Sequence, residues 1–123
     1  YYATWLAEQV GCRAVLINPA VYPSRDLRPW IGRHPAWHDP QSWIEVLPEH
    51  MEQMAELAVG PARRPEHYLT FIAQGDEVLD WREMAGRYPY PGTRILSGGD
   101  HALSDFEQHL PEILRFLGLR RSA

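Results

Sequence analysis

Apolar positions along the chain follow two rhythms, one suited to strands and one to helices. "RAVLIN" (Arg13 to Asn18), "HYLTFIAQG" (His67 to Gly75) and "TRILSGG" (Thr93 to Gly99) are short apolar runs rich in β-formers. Unbroken apolar character, rather than strict alternation, is expected of strands covered on both faces in a parallel sheet. Helical spacing governs the remainder. In "YYATWLAEQVG" the residues Tyr2, Trp5, Leu6 and Val10 share one face, and Gly11 is the expected C-terminal stop. No cap or polar lead-in precedes Tyr1, which therefore reads as an internal residue of a longer protein.

Between the second and third strands, Asp80 and Glu83 form a D-x-x-E capping box for a helix beginning near Trp81. After the third strand, Ser104 and Glu107 form an S-x-x-E box. The helix behind it carries Phe106, Leu110, Ile113, Leu114 and Leu117 on one stripe. Pro111 lies inside that stripe and should kink or restart the helix. Gly118 then leads into a polar, basic tail of Arg120, Arg121 and Ser122. Strands alternating with helices predict an α/β fold with a parallel sheet and right-handed crossovers.

One region breaks the rhythm. From Pro19 to Glu66 the chain runs far longer than the dozen or so residues that a crossover needs. Eight of the 11 prolines fall here, with Trp30, Trp37 and Trp43. We expect a short helix starting at Asp39-Pro40. A second is expected from about Pro48 to Val59, with Met51, Met54, Ala55 and Ala58 inward. Long excursions from a compact sheet are usually caps over a site, so residues 19–66 are expected to form a cap-like insertion. A helical hairpin that merely completes the core is the plainer alternative.

Candidate chemistry sits at the strand ends, where sites of open parallel sheets form. Asp76 follows the second strand in "AQGDEVLD", and His101 follows the third in "SGGDHALS". An acid and then a histidine on successive strand ends is the order of the last two triad members in α/β-hydrolases. The imidazole would take a proton from a nucleophile and return it to a leaving group. The carboxylate would fix its tautomer and stabilise the imidazolium. Gly98 and Gly99 would let the loop bend so that the ring points inward. Each residue also has a plain reading as a turn residue or cap. Glu77 and Asp80 are rival acids, although Asp80 is better explained as the helix cap, and Asp100 is expected to face solvent.

Other chemistry is weaker. His34 and His38, followed by Asp39, have a metal-ligand spacing, but Pro35 and Pro40 argue against the helix such a site would need. No metal is expected. Cys12, the only cysteine, lies at the amino end of its strand and reads as an inert structural thiol, so no disulfide framework is expected. A reducing cytoplasm is the expected compartment. The net charge of −4 argues against nucleic-acid binding. No apolar run approaches the roughly 20 residues of a membrane span. No G-x-S-x-G occurs, and Ser24, Ser42, Ser97, Ser104 and Ser122 all lack that elbow. His101 has no nucleophile to serve within these residues.

The segments "YYATWLAEQ", "AVLINPAVYP", "QGDEVLDW", "GGDHALSDFE" and "ILRFLGL" resemble, in order, the C-terminal part of the YqiA-like esterases, a family of small bacterial α/β-hydrolases. The stretch from Arg33 to Arg64 matches more loosely. In that family a Gly-x-Ser-x-Gly-Gly elbow stands immediately before the segment corresponding to Tyr1-Tyr2. The resemblance implies one partial α/β-hydrolase domain over residues 1–123, with Asp76 as triad acid and His101 as triad base. It also implies that the serine, the first strands and the oxyanion-hole loop precede Tyr1. The opening helix would support nucleophile and oxyanion through its N-terminus.

The function expected is that of a serine esterase acting on small acyl esters or thioesters without a cofactor. Asn18, Trp30 and Trp37 are expected to line the acyl pocket. The partner expected is the preceding N-terminal segment, because the first strand would otherwise present an unpaired apolar edge. Two alternatives stand beside this one. One is a non-catalytic interaction or structural domain keeping half of a hydrolase fold. The other is an enzyme using Asp76 as nucleophile or phosphoacceptor, weakened by the lack of a glycine-rich phosphate loop.

Overall fold

The computed structural model describes residues 1–120, so Arg121 and Ser122 of the expected tail lie outside the described residues. The chain divides into two compact units. One comprises Tyr1–Val21 together with the chain from Val59 onward, and the other is Tyr22–Ala58.

The first unit is built on a parallel sheet of three strands, β1 (Ala14–Ile17), β4 (Tyr68–Ala73) and β5 (Thr93–Leu96), in the order β1-β4-β5. Ala14 pairs with Tyr68 and Ile17 with Phe71; on the other side Thr70 pairs with Thr93 and Ala73 with Leu96. This is the expected α/β fold, and the three apolar runs are its strands. All six residues of the central strand β4 are buried. Successive side chains of a strand point to opposite faces, so both faces must be covered. On one face Tyr68 packs with Ala14 and Leu16 of β1, Ala7, and Tyr88. On the other, Leu69 and Phe71 pack with Leu103 and Ile113.

Three helices flank this sheet: α1 (Tyr2–Val10), α4 (Trp81–Arg87) and α5 (Phe106–Leu117). Gly11 ends α1 at φ 71°, with its N–H donating to Ala7, as glycine's freedom at positive φ allows. The expected inward face of α1 is corrected, however. Tyr2, Leu6 and Val10 are exposed, and the buried residues are Thr4 and Ala7. Small side chains bring the helix close, and the Thr4 hydroxyl meets the Tyr88 hydroxyl at 2.8 Å.

Asp80 caps α4 by accepting from the Arg82 N–H, as expected. The Ser104 box does not form. Asp100 takes both the Ser104 N–H and its hydroxyl, and α5 starts later, at Phe106. Only Ile113 of the expected stripe is fully buried, with Phe106 and Leu117 exposed. α5 runs through Pro111 without being divided, and ends at Gly118 in the left-handed conformation. Cys12 is a free, exposed thiol just before β1.

The second unit holds α2 (Pro23–Leu27), a 3₁₀ turn (Arg28–Trp30), strands β2 (Gly32–Ala36) and β3 (Asp39–Val46), and α3 (Pro48–Glu56). Here the expectation of a helix at Asp39-Pro40 fails. Asp39 opens β3, which pairs antiparallel with β2 in a hairpin: Gly32 faces Val46 and Pro35 faces Trp43. The helix α3 is as expected, with Pro48 in its first turn and Met51 and Met54 buried, but Ala55 and Ala58 are exposed. The Ser24 hydroxyl donates to the Met51 carbonyl, tying the first turn of α2 to α3. Among the described residues no helix is long and apolar enough to cross a membrane.

Candidate functional site

Parallel pairing carries the carboxyl ends of β1, β4 and β5 to the same edge of the sheet. Each strand is followed there by a loop bearing a candidate residue: Asn18, Asp76 and His101. Beyond the strands the loops after β4 and β5 stay zipped together. The Gln74 N–H donates to the Leu96 carbonyl, and the Gly75 N–H donates to the Gly98 carbonyl at 2.8 Å. The approach is close enough that a Cβ on Gly75 would stand 2.3 Å from the Gly99 carbonyl oxygen. Gly98 and Gly99 take φ of 73° and 77°, the left-handed region that favours glycine. The turn expected of these glycines is therefore present.

At the end of these loops the His101 Nδ1 lies 2.8 Å from Asp76 Oδ2. The Asp76 side chain is 0% exposed and that of His101 is 39% exposed. A sequestered carboxylate needs hydrogen bonds to offset its lost hydration. Asp76 Oδ1 receives two, from the Val78 N–H at 2.7 Å and the Leu79 N–H at 2.8 Å. The turn reading and the acid reading of Asp76 thus coexist: one oxygen closes the loop and the other faces the histidine. With Asp76 ionised, Nδ1 carries the proton, which leaves Nε2 as the acceptor. Nε2 has no hydrogen-bond partner among the described residues, and the His101 side chain is partly exposed.

The rival acids serve other purposes. Glu77 Oε2 accepts from the His101 backbone N–H at 3.1 Å rather than from its ring. Asp80 is the α4 cap. Asp100 binds Ser104, and that hydroxyl, more than the added backbone N–H donors, holds its carboxyl below the usual range. Leu103, buried behind the loop, has φ of 52°, uncommon for a branched residue and held here by packing with Leu69, Phe71 and Ile113.

Asn18 stands at the same edge of the sheet, where its side chain reaches both loops. It is 2% exposed, and its side-chain amide is spent on the protein. Nδ2 donates to the Asp100 and His101 carbonyls at 3.0 and 2.9 Å, while Oδ1 accepts from the Ala73 N–H at 2.8 Å. Strand-end position pointed to Asn18, yet nothing local in the sequence shows that its partners lie in two distant loops. Glu77's contact with His101 was missed for the same reason.

Trp30 and Trp37 belong to the second unit. Trp37 is 90% exposed with its ring edge-on to His38, and Trp30 is edge-on to His34. His34 lies on β2 and its Nε2 is 2.7 Å from the Trp30 carbonyl oxygen. The metal-ligand spacing of His34 and His38 therefore falls on a hairpin, not a helix. No group of three or more potential metal-ligating residues comes together among the described residues.

A parallel sheet flanked by helices, with an acid–histidine pair beyond adjacent strands, is compatible with part of an α/β-hydrolase-like fold. The chain belongs to the uncharacterised protein family UPF0227, whose family model matches residues 1–118. This is the YqiA-like family of small esterases that the sequence motifs resemble, and membership suggests an esterase-like hydrolase.

Proposed function

We propose that the chain carries the acid and base of a serine esterase that cleaves small acyl esters or thioesters. The observation that carries the reading is the 2.8 Å contact between His101 Nδ1 and the fully enclosed Asp76 carboxylate. In this mechanism Nε2 of His101 takes the proton of the nucleophilic serine as its oxygen attacks the acyl carbon. The resulting imidazolium returns that proton to the departing alcohol or thiol. Asp76 stays ionised throughout, holding the ring and its tautomer and stabilising the imidazolium. Water, deprotonated by the same Nε2, then attacks the acyl-serine, and the imidazolium passes that proton to the departing serine oxygen as the acid is freed. The serine and the oxyanion donors are proposed to come from polypeptide preceding Tyr1, in line with the family resemblance.

Asp76 as a nucleophile or phosphoacceptor fits poorly, because an enclosed carboxylate with both oxygens engaged cannot reach a substrate atom. The test is turnover of short-chain nitrophenyl esters by the polypeptide carrying the elbow serine. His101→Ala should lower kcat at least about a thousandfold while leaving the circular dichroism spectrum unchanged. Undiminished turnover would remove His101 from the mechanism.

A further inference from the structure

We infer that Asn18 is the positioning residue of the Asp76–His101 pair, fixing the histidine loop and the acid strand to each other through one side-chain amide. The inference rests on the esterase reading above and assigns Asn18 no contact with substrate.

Adjacent parallel strands are joined by a regular ladder of backbone hydrogen bonds. In such a ladder a residue donates its N–H to one neighbour on the adjacent strand and accepts, through its C=O, from a residue two further on. Asn18 does the first, donating its N–H to the Phe71 carbonyl at 2.9 Å. It cannot continue in the regular way, because its φ of 41° turns the main chain toward Pro19. Asparagine tolerates that left-handed conformation better than most residues. The N–H of Ala73, the last residue of β4, would then lack its acceptor, and the side-chain Oδ1 of Asn18 supplies one at 2.8 Å. The side chain replaces the missing rung.

Once Oδ1 is fixed on Ala73, the amide plane aims both Nδ2 hydrogens the other way. They meet the consecutive carbonyls of Asp100 and His101. A primary amide has two N–H donors, and both are used, so no other rotamer or flipped amide satisfies the same set. The main chain of His101 is thereby held at both ends, its N–H by Glu77 and its C=O by Asn18. Asp76 follows Ala73 by three residues. One buried amide thus links the base at one carbonyl to the strand that delivers the acid. The ring's place does not depend on the Asp76 contact alone, which matters when the imidazolium must form and discharge in each cycle. The specificity is chemical: aspartate would turn an oxygen toward two carbonyls, and an apolar side chain would strand two acceptors and one donor.

The test compares Asn18→Asp with Asn18→Gly, the second chosen because glycine accepts the left-handed φ. In the native protein, ¹⁵N-resolved imidazole spectra should show His101 as one tautomer with a hydrogen-bonded Nδ1–H. In both variants that proton signal should broaden or vanish and the tautomers should mix, with cooperative unfolding retained. In the ester assay kcat should fall about a hundredfold with KM little changed, as expected of a misplaced catalytic group. A retained Nδ1–H signal in either folded variant would overturn the inference, and so would loss of the folded state in both, which would make Asn18 a residue of the fold alone. Failure of the esterase reading is seen separately, as turnover that survives His101→Ala in the native Asn18 background.

Discussion

The strands β4 and β3 belong to one chain and obey different physics. Every residue of β4 is buried, while all residues of β3 but the last are exposed. β4 holds its place through apolar packing on two faces and hydrogen bonds to strands on both sides. β3 has a single partner, β2, and its cross-strand contacts are surface ones, such as the Arg33 guanidinium over the Trp43 ring. The candidate chemistry follows the first kind. Asp76, His101 and Asn18 all stand just beyond strands of the sheet unit, where a rigid scaffold can keep a hydrogen bond at 2.8 Å. The difference teaches that a strand's packing, more than its length, decides what its end can carry: β3 is longer than β4.

The comparison can be broken most easily in the core. Phe71→Ala empties a position that is 0% exposed and should cost about 3–5 kcal/mol in denaturant unfolding. Trp43→Ala, removing an exposed ring of the hairpin, should stay within about 1 kcal/mol. Equal costs would show that the two strands are not held differently. Next in size is Gly75→Ala, where the new methyl group meets main-chain atoms of Gly98 and Gly99. Backbone cannot yield as a side chain can, so a loss of about 1–3 kcal/mol is expected, with a displaced His101 signal in the imidazole spectrum. An unperturbed spectrum would mean that the two loops move freely.

Smaller effects sharpen the picture. The Thr70 hydroxyl, on β4, is buried without a hydrogen-bond partner among the described residues. Thr70→Val should therefore stabilise the fold by about 1 kcal/mol, and destabilisation in a melting experiment would reveal a partner for that hydroxyl. Smallest is a pH effect at the far edge of the sheet. The Tyr68 hydroxyl donates to Glu8 Oε1 at 2.6 Å, and this bond, opposed by desolvation and aided by Arg63, holds the Glu8 carboxyl below its ordinary value. A carboxyl depressed in the folded state binds fewer protons there than in the unfolded chain. Its stabilisation is complete above the unfolded value and is lost as pH falls through the folded one. Glu8→Gln should flatten that acid limb of the stability curve, and an unchanged limb would assign acid sensitivity elsewhere.

The same contrast explains what could be read in the sequence. Burial on two faces writes the unbroken apolar run of "YLTFIA", and the shorter runs "AVLI" and "TRIL", less buried beside it, were still rich enough in β-formers to announce the sheet. Terminal signals with one local partner, Gly11 and Asp80, were also legible. The hairpin was not. "DPQSWIEV" is exposed but for its last residue and "GRHPA" buries only Ala36; both carry a proline, and the chain turns through Trp37-His38 without a glycine or asparagine to mark the bend. The Ser104 box failed because Asp100, four residues earlier, captured the serine first. On α1 the large apolar residues suggested the buried face, but a close approach to the sheet selects small ones, Thr4 and Ala7. Asp76 and His101 were legible from their order along the chain. Their distance, Glu77's grip on the His101 N–H and the Asn18 amide rest on contacts between residues far apart in sequence.

The central claim is that Asp76 and His101 activate a serine. The direct measurement is intact mass after exposure to a fluorophosphonate, which reacts with activated serines, for the polypeptide carrying the elbow and for its His101→Ala and Asp76→Asn variants. The account predicts one adduct in the native protein, on a serine preceding Tyr1, and labelling slowed at least about a thousandfold in His101→Ala and strongly in Asp76→Asn. Labelling at an equal rate in all three, or none in the native protein, would contradict it.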